Sequence, residues 1–225
     1  MIKPALIDTA EKFHSRFGVS RETLDRLCVY ESLLKRWQRG TNLVAPATLD
    51  RVWHRHFADS AQLLELAPDS KIWLDLGSGA GFPGLVIAIC AANREGMRVH
   101  VVESNARKCA FVHEVVRETG CSVEIHEARI ESVHAQARVI AAEIVTARAL
   151  APLTELLKLS APFFGPGTTG LFLKGRQAEH EMVEAEKNWR YETGTHPSIT
   201  DARARIVRIN ALRRKGSEDV EAAHG

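Results

Sequence analysis

No apolar run in this sequence is long enough to cross a bilayer. The longest, residues 84–92, falls far short of the ~20 residues that a spanning helix requires. Acidic side chains come before any apolar stretch at the N-terminus, so no secretory leader is expected. Cysteine is scarce: Cys28, Cys90, Cys109 and Cys121 stand far apart, with no Cys-x-x-Cys pair. This excludes a disulfide framework and a zinc ribbon, and the helical or apolar neighbours of each cysteine point to reduced, buried thiols. The expectation is a cytoplasmic protein with no membrane segment and no metal site. A strong charge of one sign is also missing, since 30 Lys and Arg face 28 Asp and Glu. The resulting net charge of +2 does not by itself announce a nucleic-acid partner.

The distribution of charge says more. Arg203, Arg205, Arg208, Arg213, Arg214 and Lys215 crowd a short stretch opposed by Asp201, and form either a solvated strand face or a phosphate-contacting surface. Residues 216–225 read as a disordered acidic tail. With 45% hydrophobic and 26% charged residues in 225, the rest has the balance of a globular domain plus an elaboration.

The first 70 residues read as a helical extension. Leu6, Ala10, Phe13 and Phe17 recur at helical spacing, Ser20-Arg-Glu-Thr23 opens a second helix that runs to Trp37, and a third is predicted over residues 49–66. Pro68 and Asp69 close this part. Over residues 71–215 the pattern switches to short apolar strands (72–76, 99–103, 123–126, 144–147, 170–174) separated by helices at 85–92, 107–118, 153–159 and 179–189. Strands that alternate with helices predict an α/β fold, a doubly wound and mostly parallel sheet of the Rossmann-like type, because each parallel crossover must bury a sheet face. A late strand at 203–210 is expected to pair antiparallel with 189–195.

The first strand runs into Gly77-Ser-Gly79-Ala-Gly81-Phe-Pro-Gly84. Such glycines turn the chain tightly and let a ligand approach bare backbone. The segment from Gly79 to Gly84 also fits the dinucleotide pattern Gly-x-Gly-x-x-Gly, so a nicotinamide-dependent oxidoreductase is a rival reading. Asp75 favours the other one: an acid just before the loop suits S-adenosyl-L-methionine, with its sulfonium and ammonium groups, and would repel a pyrophosphate. Glu103, ending the second strand, stands where a carboxylate can accept ribose hydroxyls. Ile130 and Glu131, after the third strand, can supply an apolar contact and an acceptor for adenine.

Several separate stretches resemble one family, the bacterial 16S ribosomal RNA guanine-N7 methyltransferases, also called glucose-inhibited division protein B. They are Leu33-Leu-Lys-Arg-Trp37 with Asn42-Leu43, Arg55-His-Phe-Ala-Asp-Ser60, the loop from Asp75 to Gly84, Glu103-Ser104 with Lys108 and Phe111, Ala128-Arg-Ile-Glu131, Ala147-Arg-Ala149 and Leu173-Lys-Gly175. The resemblance implies methyl-donor contacts at Gly77, Phe82, Ile130, Glu131 and Arg148, with Glu103 on the ribose. It also implies a substrate, the guanine at nucleotide 527 in the 530 loop of 16S ribosomal RNA, and hence a partner in that RNA or the small ribosomal subunit. Gln38, Val44 and Glu103 depart from the family's usual Asn, Thr and Asp.

Methyl transfer is an in-line displacement that chiefly needs alignment. An exocyclic amine acceptor must also shed a proton, and the enzymes that use one carry an Asn/Asp-Pro-Pro-aromatic stretch after the fourth strand; Thr146-Ala-Arg-Ala149 is unlike it. A pyrimidine-carbon acceptor needs a thiolate, and no cysteine ends a predicted fourth or fifth strand. Guanine N7 offers a lone pair and no proton, so no general base is expected, and Arg148 and Lys174 are assigned to positioning. His54 and His56, two apart on a helix, point to different faces and do not share a metal. Trp37 and Trp53 read as packing anchors. A non-catalytic RNA-binding assembly protein is the second rival.

Overall fold

Strands whose central residues are apolar throughout, rather than alternately, must be covered on both faces. In the computed structural model, which describes residues 6–216, they form a seven-stranded sheet in the order β3-β2-β1-β4-β5-β7-β6. The strands are β1 Ile72–Leu76, β2 Arg98–Glu103, β3 Glu124–Glu127, β4 Ile144–Arg148, β5 Thr169–Lys174, β6 Trp189–Pro197 and β7 Arg205–Arg214. The first five are parallel, while β7 runs antiparallel to both β5 and β6. The chain begins in the middle of the sheet at β1, winds outward to β3, then returns to place β4 on the other side of β1. That reversal opens a crevice above the carboxyl ends of β1 and β4, where open α/β sheets bind ligands.

Side chains alternate along β1 and β2 between two cores. Trp73 and Val101 join one that includes the helices Gly84–Cys90, Ala106–Thr119 and Arg21–Trp37; Leu74, Leu76 and Val102 join the other, under Leu153–Ser160 and Ala178–Ala185. The N-terminal helices thus share a core with the sheet. The cap at Ser20 accepts from Thr23 N, as its sequence position predicts. Among the described residues, no helix is long and apolar enough to cross a membrane.

Four expectations need correction. The helix predicted over 49–66 is broken into Pro46–Leu49, a π-helical turn at Trp53–Ala58, and single turns at Asp59–Ala61 and Leu63–Leu66. A regular helix buries one stripe, whereas Trp53, His54, His56, Phe57 and Ala58 are all buried and Arg55 alone is half-exposed, so this segment is covered over far more than one stripe and the wider turn aims side chains in several directions. The helix predicted to reach 189 stops at Ala185, because Trp189 already begins β6. Cys28 is exposed on the outer face of its helix, unlike buried Cys109 and Cys121. The basic stretch is not one surface: Arg205 and Arg208 fall on opposite faces of β7, and Arg213 lies at its far end, about 26 Å along the strand. Of the predicted tail, residues 217–225 lie outside the described residues.

Candidate functional site

Between β1 and the helix Gly84–Cys90, Gly77, Gly79 and Gly81 have φ of 65°, 60° and 90°. An L side chain pays about 1 kcal/mol or more in this region, which is why every second residue is glycine. Ser78 O accepts from Gly81 N at 2.9 Å and Phe82 N at 3.0 Å, while Ser78 N donates to Val102 O at 3.0 Å, so the loop is tied to β2. A Cβ on Gly84 would lie 2.6 Å from Val101 Cγ1 and 3.0 Å from Asp75 Oδ2; the helix can start against β2 only with glycine there.

Asp75 is buried beneath this loop. Its carboxylate accepts from Gly84 N at 3.0 Å and from the Thr146 hydroxyl at 3.1 Å, joining the helix start to β4. Burial pushes its pKa up to about 6, against those hydrogen bonds and the charge of Arg148, which pull it down. Because Asp75 already occupies the first helical amide, that amide does not face a pyrophosphate, and the dinucleotide reading loses its anion site. Glu103 is also buried, and its oxygens accept from Gly79 N at 2.9 Å and Asn105 N at 2.8 Å.

Arg148, at the end of β4, draws the N-terminal segment to the loop. It donates to Arg55 O at 3.1 Å and to His56 Nδ1 at 2.9 Å, lies 3.6 Å from Asp59 Oδ2, and stands 4.8 Å above the Phe82 ring. A guanidinium only donates, so His56 Nδ1 is an acceptor and its proton sits on Nε2, facing Thr48 Oγ1 at 2.8 Å. The Thr48 hydroxyl passes its own hydrogen to Ala45 O at 2.7 Å, which completes the chain. Burial, with Arg148 and Arg55 nearby, lowers the His56 pKa to about 3, so the ring is neutral. Phe82 is stacked between His56 and Tyr30, and the Tyr30 hydroxyl donates to Ala80 O.

A cleft of about 690 Å³ opens here, within the range of small-molecule sites. Of the residues expected at a site, Gly77, Gly79, Phe82, Arg148, Lys174 and Lys108 line it. Lys174 is engaged, 2.6 Å from Glu181 Oε2 and donating to Ala151 O at 2.7 Å. Asp75, Gly81, Glu103, Ile130 and Glu131 lie outside the lining: Asp75, Gly81 and Glu103 are buried within or beside the loop, Ile130 packs in the second core, and Glu131 is exposed. The floor at Gly79 is bare, with Gly77 O the nearest atom to a Cβ there at 3.9 Å. Asp59, Asp201 and Tyr30 were not expected at the site. Asp59 accepts from Thr200 Oγ1 at 2.6 Å and so joins the π-helical turn to the segment before β7; the Arg55–Ser60 stretch was its only signal in the sequence. His54 turns the other way, to Ile7 N and Thr200 O, so the two histidines face different partners.

A sheet of this order, with a glycine loop after β1 opening on a cleft at the switch point, defines a Rossmann-like methyltransferase. The fold is shared with a putative O-methyltransferase from Klebsiella pneumoniae (TM-score 0.58, 14% identity, 90% of this chain and 96% of that one). A mutant of MtNAS in complex with S-adenosylmethionine shares it too (TM-score 0.55, 13% identity, 93% and 86%). Sequence comparison is more specific. Residues 23–209 match the model of the rRNA small subunit methyltransferase G family. Ribosomal RNA small subunit methyltransferase G from a strain of Methylorubrum extorquens is 52% identical over 207 residues, 92% of this chain and 97% of the relative. The protein of the same name from Parvibaculum lavamentivorans is 47% identical, over 93% and 92%. This chain belongs to the rRNA small subunit methyltransferase G family.

Proposed function

We propose that this protein transfers a methyl group from S-adenosyl-L-methionine to N7 of the guanine at nucleotide 527, in the 530 loop of 16S ribosomal RNA, and that it does so in the cytoplasm. S-adenosylmethionine supplies a methyl group on a positively charged sulfur. Bare backbone at Gly79 gives a flat group room to lie on the loop, with the Leu150 side chain packed against Gly77 beside it, and the buried carboxylates Asp75 and Glu103 make the loop's surroundings negative, as suits a cationic donor. Ile130 and Glu131 are assigned to the adenine on the outer side of Glu103. Residues 71–215 are assigned as the cofactor domain, and the helical extension 1–70 completes its cleft through Arg55, His56 and Asp59.

The observation that carries the N7 acceptor is that the proton-accepting side chains of the cleft are already committed. His56 has both ring nitrogens bonded and is hard to protonate. Asp59 is held by Arg148 and Thr200, Glu181 by Lys174, and Asp201 is held below the usual carboxylate range by the Arg203 backbone amide. Such a site can align an acceptor and cannot readily remove a proton from it, which fits a lone pair that carries none. Arg148 is a positioning residue: it fixes Phe82 and His56 beside the loop. Arg55, Lys108 and Arg205 add positive charge at the cleft, as an RNA backbone requires.

The test is to incubate the protein with labelled methyl donor and small ribosomal subunits lacking the modification, then map the label. Label at N7 of that guanine is expected, and it should fall sharply with Arg148→Ala. Label on an exocyclic amine overturns the N7 acceptor, and no label overturns the proposal and leaves a non-catalytic binding protein as the alternative.

A further inference from the structure

On β2 and the edge strand β3, outside the residues that line the cleft, three side chains converge. Parallel pairing sets His100 beside Glu124 and Val102 beside His126. Residues two apart on a strand share a face, so His100, Glu124 and His126 all project to the same side of the sheet. His100 Nδ1 lies 3.2 Å from His126 Nε2, and Glu124 Oε2 lies 3.4 Å from His100 Nδ1. Glu124 Oε1 lies 3.6 Å from His126 Nε2, and one ligand atom from each of the three falls within 4.8 Å of the others.

The geometry points to a binding site for a divalent transition-metal ion of the zinc class, held by His100, His126 and Glu124. Two ligands about 2.05 Å from a tetrahedral ion stand about 3.3 Å apart; the two imidazole nitrogens stand 3.2 Å apart, each faces a different oxygen of Glu124 at 3.4 and 3.6 Å, and a rotation of the exposed carboxylate brings one oxygen toward both. The donor set is right as well, since imidazole nitrogen with one carboxylate suits zinc, whereas calcium and magnesium want oxygen throughout. Proton chemistry alone serves the cluster poorly. Nδ1 of His100 faces both a ring nitrogen and a carboxylate, and one N–H cannot satisfy two acceptors equally. A doubly charged ion at the point of convergence meets all three lone pairs together.

The two rings are stacked at 5.5 Å and almost enclosed, with side-chain exposures of 10% and 8%, while Glu124 is 64% exposed and gives the ion its way in. Burial lowers the His100 pKa, which keeps its ring neutral and able to ligate. Arg98 also acts on His100, but it is exposed at the start of β2, where solvent screens it. Three protein ligands leave a fourth position for water. The bound ion joins the edge strand β3 to β2, the strand that ends at Glu103.

Untagged, chelator-stripped protein should bind one equivalent of Zn2+ in competition with a chromophoric chelator, and Co2+ should give the intense visible bands of a tetrahedral site. His126→Ala removes a ligand and should weaken Zn2+ binding by at least about 100-fold. Glu124→Gln, at an exposed position, should weaken it by at least about 10-fold and reduce the rise in melting temperature that Zn2+ gives the parent. His180→Ala, on the exposed face of another helix, should change nothing. Absence of stoichiometric binding, or equal binding by the parent and both cluster variants, overturns the site. Neither result depends on methyl transfer.

Discussion

Asp75 provides a measurable penalty of known sign. Its carboxyl is buried, and the native environment raises its pKa from 3.8 to about 6. The native state therefore holds the proton more tightly than the unfolded chain. Its contribution is fully present below pH 3.8 and is lost as pH rises through about 6. At 1.36 kcal/mol for each pH unit between the two values, the ionised carboxylate costs the native state about 3 kcal/mol at about pH 8. Asp75→Asn keeps the shape and both hydrogen bonds, with the amide oxygen accepting from Gly84 N and the amide nitrogen donating to Thr146, and it cannot ionise. The variant should gain on the parent by about 2.5 kcal/mol between about pH 4 and pH 8, read as urea unfolding free energies. His56, with its pKa depressed to about 3, makes both proteins lose stability as pH falls below 6.5, and this cancels in the difference. A difference that stays flat, or shrinks as pH rises, refutes the placement of the carboxylate beneath the loop. A charge kept at such a cost should matter for binding, so S-adenosylmethionine affinity should fall in the same variant.

Three further outcomes follow from the geometry. Gly84→Ala puts a methyl 2.6 Å from Val101 Cγ1, and should cost about 1–3 kcal/mol in chemical denaturation and weaken the cofactor site. Tyr30→Phe leaves the Ala80 carbonyl without its hydroxyl partner, and should cost about 1–3 kcal/mol while raising the KM for S-adenosylmethionine more than it lowers kcat. Neutralising Arg205 at the cleft and Arg203 in the pocket beside it should lower the slope of log affinity against log salt for RNA by about 2, and neutralising Arg213 and Arg214 at the far end of β7 should not; equal effects would show that position along the strand is irrelevant.

Local pattern was enough to place the strands, because a buried strand writes its apolar run directly into the chain: residues 72–76 were expected and β1 is Ile72–Leu76. The glycine loop was equally readable, since positive φ at alternate positions demands the residue itself. Reading failed where a segment's environment comes from several elements at once. Residues 49–66 keep a helical spacing, yet the sheet, the N-terminal helices and the segment before β7 enclose Trp53 to Ala58 together and break the helix. Gln38 looked like a departure from the family pattern. In the structure its Oε1 accepts from Leu43 N and Val44 N at 3.0 Å, and its Nε2 donates to Val44 O at 2.9 Å, so the longer amide holds the following loop.

By itself, the sequence determined the parallel sheet, the glycine loop after β1 and the family, since each rests on neighbours in the chain or on motifs in order. Only the tertiary structure decided which charges act together. It tied Asp75 to Thr146 under the loop, joined Arg148 to His56 and Asp59, split the basic stretch between the two faces and ends of β7, and brought His100 to His126 and Glu124. The hydrogen-bonded pairs among these encounters span 26 to 92 positions of chain, and strand order and register, which no local pattern encodes, set which side chains meet.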